Sequence, residues 1–259
     1  MKYLPSLLLV FLVSCMPNDN RLTVAVSSLE ESEEEVIAVE EVDTVEKKVA
    51  VEIPQCEKST MAQYLDSLGF VNIAVEDPSI RINLKYATAD NFVGEVLYKD
   101  LHEAYLHPKA MECLKKAQAN LKEKHPNYSL IVYDAARPMS VQQQMWNKVK
   151  TTKNKNYVSN PANGGGLHNY GLAVDISIVD ENGKALDMGT PFDFFGIEAH
   201  TSDEPTLVAK GKITEEQRQN RLLLRGVMRE AGFRPLQSEW WHFNYCSRAE
   251  AKKNFKAIP

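Results

Sequence analysis

The chain has 259 residues, 44% hydrophobic and 25% charged, with 30 Lys and Arg against 35 Asp and Glu. That length and balance suit one globular domain plus an extension, or two small domains. The net charge of −5, with no Lys/Arg stripe interleaved with aromatics, argues against a nucleic-acid binder.

Met1 and Lys2 form a small positive start, and residues 4–13 are a short apolar run. The run is about half the ~20 residues that a membrane-spanning helix needs. Residues 1–15 therefore read as an export signal. The signal ends in Leu12-Val13-Ser14-Cys15, which resembles a bacterial lipobox: an aliphatic residue, a small residue, then a cysteine that is lipidated and becomes the new N-terminus. An ordinary export signal with a chance cysteine is the plainer alternative. The expectation is an exported chain held by lipid on Cys15, because several acyl chains together anchor stably. Met16, rather than Asp, follows the cysteine and points to an outer membrane, with the protein facing the periplasm.

Residues 16–58 read as an acidic tether. Residues 27–55 hold ten Asp and Glu against two Lys, so the remainder of the chain is mildly positive. Like charges repel and extend such a segment. Cys56, Cys113 and Cys246 remain after Cys15, enough for at most one disulfide, and free thiols are equally consistent.

Residues 59–259 read as one globular domain. Residues 60–68 (TMAQYLDSL) suit a short amphipathic helix, and residues 81–86 (RINLKY) alternate like a strand. Residues 107–123 carry Ala110, Met111, Leu114, Ala117 and Leu121 at helical spacing, with Pro108 as the first helical residue. Residues 129–133 form an apolar strand, residues 141–149 a helix, residues 151–166 a polar loop, and residues 172–179 a strand. Asp180 to Gly183 is a hairpin-like turn. Residues 215–231 form a helix closed by Gly232, and residues 243–245 a last strand. Strands and helices mix without a repeat or βαβ regularity. The expected class is α+β: a single domain with a central, mostly antiparallel sheet flanked by helices.

Three stretches can carry chemistry. His102-Glu103-Ala104-Tyr105-Leu106-His107 is a decoy, because histidines five apart are rotated by ~140° on a helix and cannot share one metal. In Gly164 to Ser177, by contrast, strand alternation puts Ala173, Asp175 and Ser177 on one face. Small residues clear space around Asp175, and Gly171 lets the chain bend so that His168 folds back over it. An imidazole and a carboxylate so placed suit a divalent metal such as zinc. An Asp hydrogen-bonded to a structural His makes the same pattern. In Ser238-Glu239-Trp240-Trp241-His242-Phe243, His242 could be a third ligand and Glu239 a general base. A pair three apart lies on opposite faces of a regular strand, so the segment must bend if both line one site. In Tyr133-Asp134-Ala135-Ala136-Arg137-Pro138, Arg137 could stabilise an oxyanion, or simply pair with Asp134.

In order, D-x-x-R-P, H-x(6)-D and E-W-W-H resemble the zinc D-alanyl-D-alanine dipeptidases of the vancomycin-resistance type, a branch of the wider zinc DD-peptidase family. Lys85-Tyr86-Ala87-Thr88, residues 187–195 (DMGTPFDFF) and the run from Asn220-Arg221 to Glu239 resemble the dipeptidases in particular. The resemblance covers roughly residues 70–250. It implies one Zn2+ per chain on His168, Asp175 and His242. It implies Glu239 as general base and acid, Arg137 on the scissile carbonyl, and Asp193 with Tyr86 on the ammonium of a small D-amino-acid dipeptide. The implied role is cell-wall peptide turnover. A carboxypeptidase trimming muramyl peptides and a non-catalytic zinc or peptidoglycan-binding module are the alternatives. One position departs: the dipeptidases usually carry a substrate-holding Ser two residues before the first His ligand, and here that residue is Gly166. Backbone N–H groups of the Gly164-Gly165-Gly166 loop are the expected replacement donors. Oligomeric state is not legible in the sequence.

Overall fold

The computed structural model describes residues 58–259; the export signal, Cys15, nearly all of the tether and Cys56 lie outside the described residues. Within them, no helix is long and apolar enough to cross a membrane.

Ser59 caps the first helix by accepting from the Ala62 N–H, so α1 runs Thr60–Ser67 as its pattern predicts. Strand β1 (Val71–Asn72) leads into a single helical turn, α2 (Ile73–Glu76), and then β2 (Arg81–Ile82). The expected strand over residues 81–86 stops early, because the backbone tightens into a 3-10 turn at Lys85–Ala87 that buries Tyr86. Strand β3 (Tyr105–Leu106) pairs antiparallel with β1 and lies between His102 and His107, so no helix carries the two decoy histidines together. His107 then caps α3 (Pro108–Lys124), whose five expected apolar residues are all buried.

The main sheet is built from β2, β4 (Ser129–Asp134), β5 (Ala173–Val179), β6 (Arg234–Leu236) and β7 (Glu239–Asn244), in the order β2-β4-β5-β7-β6. Only the β2–β4 pair is parallel. The α+β, mostly antiparallel expectation is met. All seven residues of β5 are buried, as expected of a central strand covered on both faces. The remaining helices are α4 (Met139–Val149), α5 (Glu204–Ala209), α6 (Glu215–Glu230) and α7 (Arg248–Asn254). The loop expected over residues 151–166 contains two 3-10 turns. The last strand begins at Glu239 and ends at Asn244, earlier than the expected 243–245, because β7 pairs with β5 from His242 onward and with β6 from Glu239. Cys113 and Cys246 are both free thiols.

Two irregularities in this sheet re-aim side chains that regular pairing would keep apart. Between β4 and β5 the pairing runs Val132 to Ile176 and then Asp134 to Asp175, so Tyr133 is an extra residue. Such a bulge redirects the next side chain. It moves Asp134 onto the face of Asp175. Between β6 and β7, Pro235 pairs with Phe243 but Leu236 with Glu239. One step on β6 thus spans the whole Glu239-to-Phe243 segment on β7. This is the bend that a shared site for Glu239 and His242 requires.

Candidate active site

The registers place Asp134, Asp175 and His242 side by side across β4, β5 and β7. Opposed residues share a face and lie close. His168 comes to them from the 3-10 turn Leu167–Tyr170, which ends at Gly171 in the left-handed region (φ +60°). Gly171 must be glycine, since a Cβ there would sit 2.4 Å from the Phe70 ring and 3.0 Å from the His107 nitrogen.

Three atoms converge. Nε2 of His168 lies 3.2 Å from Nδ1 of His242 and 3.2 Å from Oδ1 of Asp175, and His242 Nδ1 lies 2.9 Å from that same oxygen. The opposite ring nitrogens are committed. His168 Nδ1 faces the carbonyl of Ala135 at 2.8 Å, which can only accept, so this nitrogen carries the proton. His242 Nε2 faces Oδ1 of Asn244 at 3.0 Å. With the outer nitrogens so engaged, the inner nitrogens are the ones that can offer lone pairs to a metal. Two ring nitrogens and a carboxylate oxygen this close suit a cation at their centre. Tetrahedral zinc with ligands at ~2.0–2.1 Å separates them by ~3.3 Å, close to the triangle observed. The donor set fits a zinc ion: two nitrogens and an oxygen, with a fourth position open to a cavity. Burial opposes ionisation of Asp175, yet His168 and His242 beside it hold its carboxyl below the ordinary range.

That cavity has a volume of about 210 Å3 and is lined by all three of these residues together with Glu239, Arg137, Asp193 and Tyr86. A cavity of that size suits a small substrate. Burial pushes the Glu239 carboxyl up to about 7; His242 opposes the shift, and Asp175 and Asp193 add to it. The side chain makes no hydrogen bond to protein among the described residues. A carboxylate held near neutrality with its oxygens open is poised to exchange a proton.

Arg137 is buried at the turn between β4 and α4. Its Nε donates to Oδ2 of Asp134 at 2.9 Å, its Nη2 donates to the same oxygen, and its Nη1 donates to Oε1 of Gln142 at 2.9 Å. Two of its five N–H groups remain for the cavity. Burial works against its charge, but Asp134 together with Tyr86, Tyr98 and Asp175 outweighs it and keeps the guanidinium charged. Arg137 thus pairs with Asp134 and also lines the cavity. Tyr98 donates to the other oxygen of Asp134, which fixes that carboxylate in turn.

Asp193 is the only non-glycine residue with positive φ (+62°) among the described residues. Asp tolerates this region better than most, and such strain concentrates at functional positions. Its Oδ1 accepts from the Tyr86 hydroxyl at 2.9 Å and its Oδ2 from the Phe92 N–H at 3.3 Å. Burial raises its carboxyl to about 7, with the charge of Asp175 adding to the shift and the Tyr86 bond opposing it. Helix α6 anchors the segment that carries it: buried Arg221 donates from Nε to the Met188 carbonyl at 2.6 Å and from Nη2 to the Glu198 carbonyl at 2.9 Å.

Every expected site residue of the globular part is thus in one place, with two corrections. Ser177 does not clear the floor of the metal cavity; it lines a neighbouring one of about 780 Å3 beside Tyr133 and Lys85. The glycine loop does not offer spare donors either. Gly164 N donates to the Pro161 carbonyl (2.8 Å), Gly165 N to that of Asn160 (3.3 Å) and Gly166 N to Oδ1 of Asn169 (2.8 Å).

Sequence reasoning missed Gln142 and Asn244. Asn244 stands two residues after His242, on the same side of a strand, and that spacing was the available signal. Replacing it with Ala should weaken metal affinity about 10- to 100-fold without unfolding the protein. Competition with a chelator measures this; unchanged affinity would show that the contact with His242 is incidental.

The D-ala-D-ala dipeptidase model of the M15 peptidases matches residues 66–258. A D-alanyl-D-alanine dipeptidase of Escherichia coli (strain K12) is 33% identical over 178 residues, covering 69% of this chain and 85% of that protein. Proteins of the same name from Enterococcus faecalis and Enterococcus faecium are each 26% identical, over 85% and 91% of their lengths. With three donors that could hold a metal, a buried glutamate beside them and the matched residues in agreement, the chain belongs to the D-ala-D-ala dipeptidase family of zinc-dependent M15 peptidases.

Proposed function

We infer that the protein is a zinc-dependent D-alanyl-D-alanine dipeptidase that splits the dipeptide into two D-alanines during cell-wall peptide turnover. The observation that carries this is the grouping of a three-donor metal site, Glu239, Arg137 and Asp193 around one cavity of about 210 Å3. His168, Asp175 and His242 would hold one zinc ion per chain, which supplies Lewis acidity at this point of the cavity. Glu239 takes a proton from the attacking water and returns it to the amine nitrogen as the C–N bond breaks. The remaining N–H groups of Arg137 stabilise the oxyanion on the tetrahedral carbon. Asp193 receives the free ammonium. Tyr86 stays protonated, because burial and the adjacent Asp193 raise its phenol well above the ordinary value, and it orients that carboxylate.

The test is a hydrolysis panel on the zinc-loaded full chain: D-Ala-D-Ala, its N-acetyl derivative and L,D-dipeptides. Release of D-alanine from the free dipeptide and not from the N-acetyl form is expected. Equal turnover of the N-acetyl form would favour a carboxypeptidase instead, and no turnover of any peptide would reject both.

The mature protein is proposed to be exported and lipid-anchored through Cys15, in an outer membrane and facing the periplasm. The lipobox-like Leu12-Val13-Ser14-Cys15 supports this. Fatty-acid labelling of the expressed protein should be lost entirely in Cys15→Ser. Persistent labelling of that variant would refute the assignment.

A further inference from the structure

On the dipeptidase reading, the substrate is a zwitterion. Its ammonium meets Asp193, but its carboxylate also needs a partner. Two guanidinium groups line the cavity. The charge of Arg137 is already matched, since it is bound to Asp134 and lies 3.6 Å from Asp175. Arg248, the first residue of α7, is exposed, and its Nη2 donates to the Asn163 carbonyl at 3.1 Å. It forms no ion pair among the described residues, so its charge is unmatched at the cavity wall. Lys252 of the same helix packs against Gly164 and makes that side more positive still.

Ser159 lines the same cavity. Its main chain is pinned, because its carbonyl accepts from Nε2 of Gln142 at 2.8 Å while Oε1 of Gln142 accepts from Arg137 at 2.9 Å. Its hydroxyl has no hydrogen-bond partner among the described residues. Gly166 makes room for that hydroxyl: a Cβ at position 166 would lie 3.1 Å from Ser159 Oγ. The missing side chain and the standing hydroxyl therefore occupy adjoining space. The glycine loop itself has no main-chain donor to spare.

We propose that Ser159 and Arg248 bind the C-terminal carboxylate of the dipeptide, so that the site reads both charged ends of its substrate. A hydroxyl donor and an unmatched guanidinium are a suitable pair for a carboxylate. The requirement for a free carboxylate is a second selectivity filter beside the one for a free amine.

The experiment compares D-Ala-D-Ala with its C-terminal amide, using the zinc-loaded full chain. The unmodified protein should prefer the free acid by about 10-fold or more in kcat/KM. Arg248→Ala and Ser159→Ala should each lower kcat/KM for the free acid by about 10-fold, mainly through KM, and leave the amide unchanged. Arg248→Lys should recover part of the loss. A preference for the acid that survives both alanine variants overturns the proposal, as does equal hydrolysis of acid and amide by the unmodified protein; the dipeptidase reading stands in either case. Hydrolysis of neither compound would sink the dipeptidase reading, and this proposal with it.

Discussion

Glu239→Ala should lower kcat on D-Ala-D-Ala by about 10^2- to 10^4-fold while the protein still binds one zinc per chain. The reason is the division of labour in the cavity. Glu239 lines the space beside the three metal-ligand atoms but takes no part in their triangle, so removing it removes a proton carrier and not a ligand. Loss of stability is not expected to confuse the result. A Glu whose folded pKa rises to about 7 from 4.5 opposes folding increasingly as pH rises between those values, because its charge is buried. The metal-free alanine variant should therefore melt at pH 8 no lower than the unmodified protein. Metal analysis, a thermal melt and steady-state kinetics on one preparation decide it. Retained turnover would remove Glu239 from the mechanism; loss of zinc would make it a ligand.

Asp193→Ala should cost about 10^2- to 10^3-fold in kcat/KM on the free dipeptide, the effect of leaving a desolvated cation without its partner. N-acetylated dipeptide, which has no ammonium, should lose nothing further. The same carboxylate sets an acid limit on activity. Burial raises its pKa to about 7, so below that pH it is increasingly protonated and cannot pair with an ammonium. The dipeptide KM should therefore climb as pH falls through 7, and in Asp193→Asn this dependence of KM should vanish. A KM that stays flat from pH 8 to 5 in the unmodified protein would mean that the ammonium binds elsewhere. Tyr86→Phe should show a weaker version of the alanine phenotype, since the hydroxyl at 2.9 Å orients Asp193 without replacing it.

Much of the fold is legible because its elements obey local rules. The apolar spacing in α3 predicts five of its six buried residues, all but Gln118, and the capping box at Thr214 and Gln217 starts α6 where its pattern begins. The short elements are not legible. Strands β1 and β3 are two residues each, and β2 ends where the chain tightens to bury Tyr86, a demand made by the site and not by local alternation.

The candidate site divides along the same line. Sequence by itself singled out the residues that come to line one cavity. His168 and Asp175 are seven apart with a glycine between them, Glu239 stands three before His242, and Asp193 sits in the run that resembles the dipeptidases. Only the tertiary structure decided how they meet. A bulge at Tyr133 puts Asp134 onto the face of Asp175, and the bulge in β7 lets Glu239 and His242 line one cavity despite their spacing. Contacts between segments far apart in the chain decided the rest: the Ala135 carbonyl and the Asn244 amide aim the two imidazoles, and Ser159 stands where Gly166 leaves room. Residue type and spacing encode chemical capacity, whereas register, bulges and close packing depend on strands and loops that the sequence pattern treats one at a time.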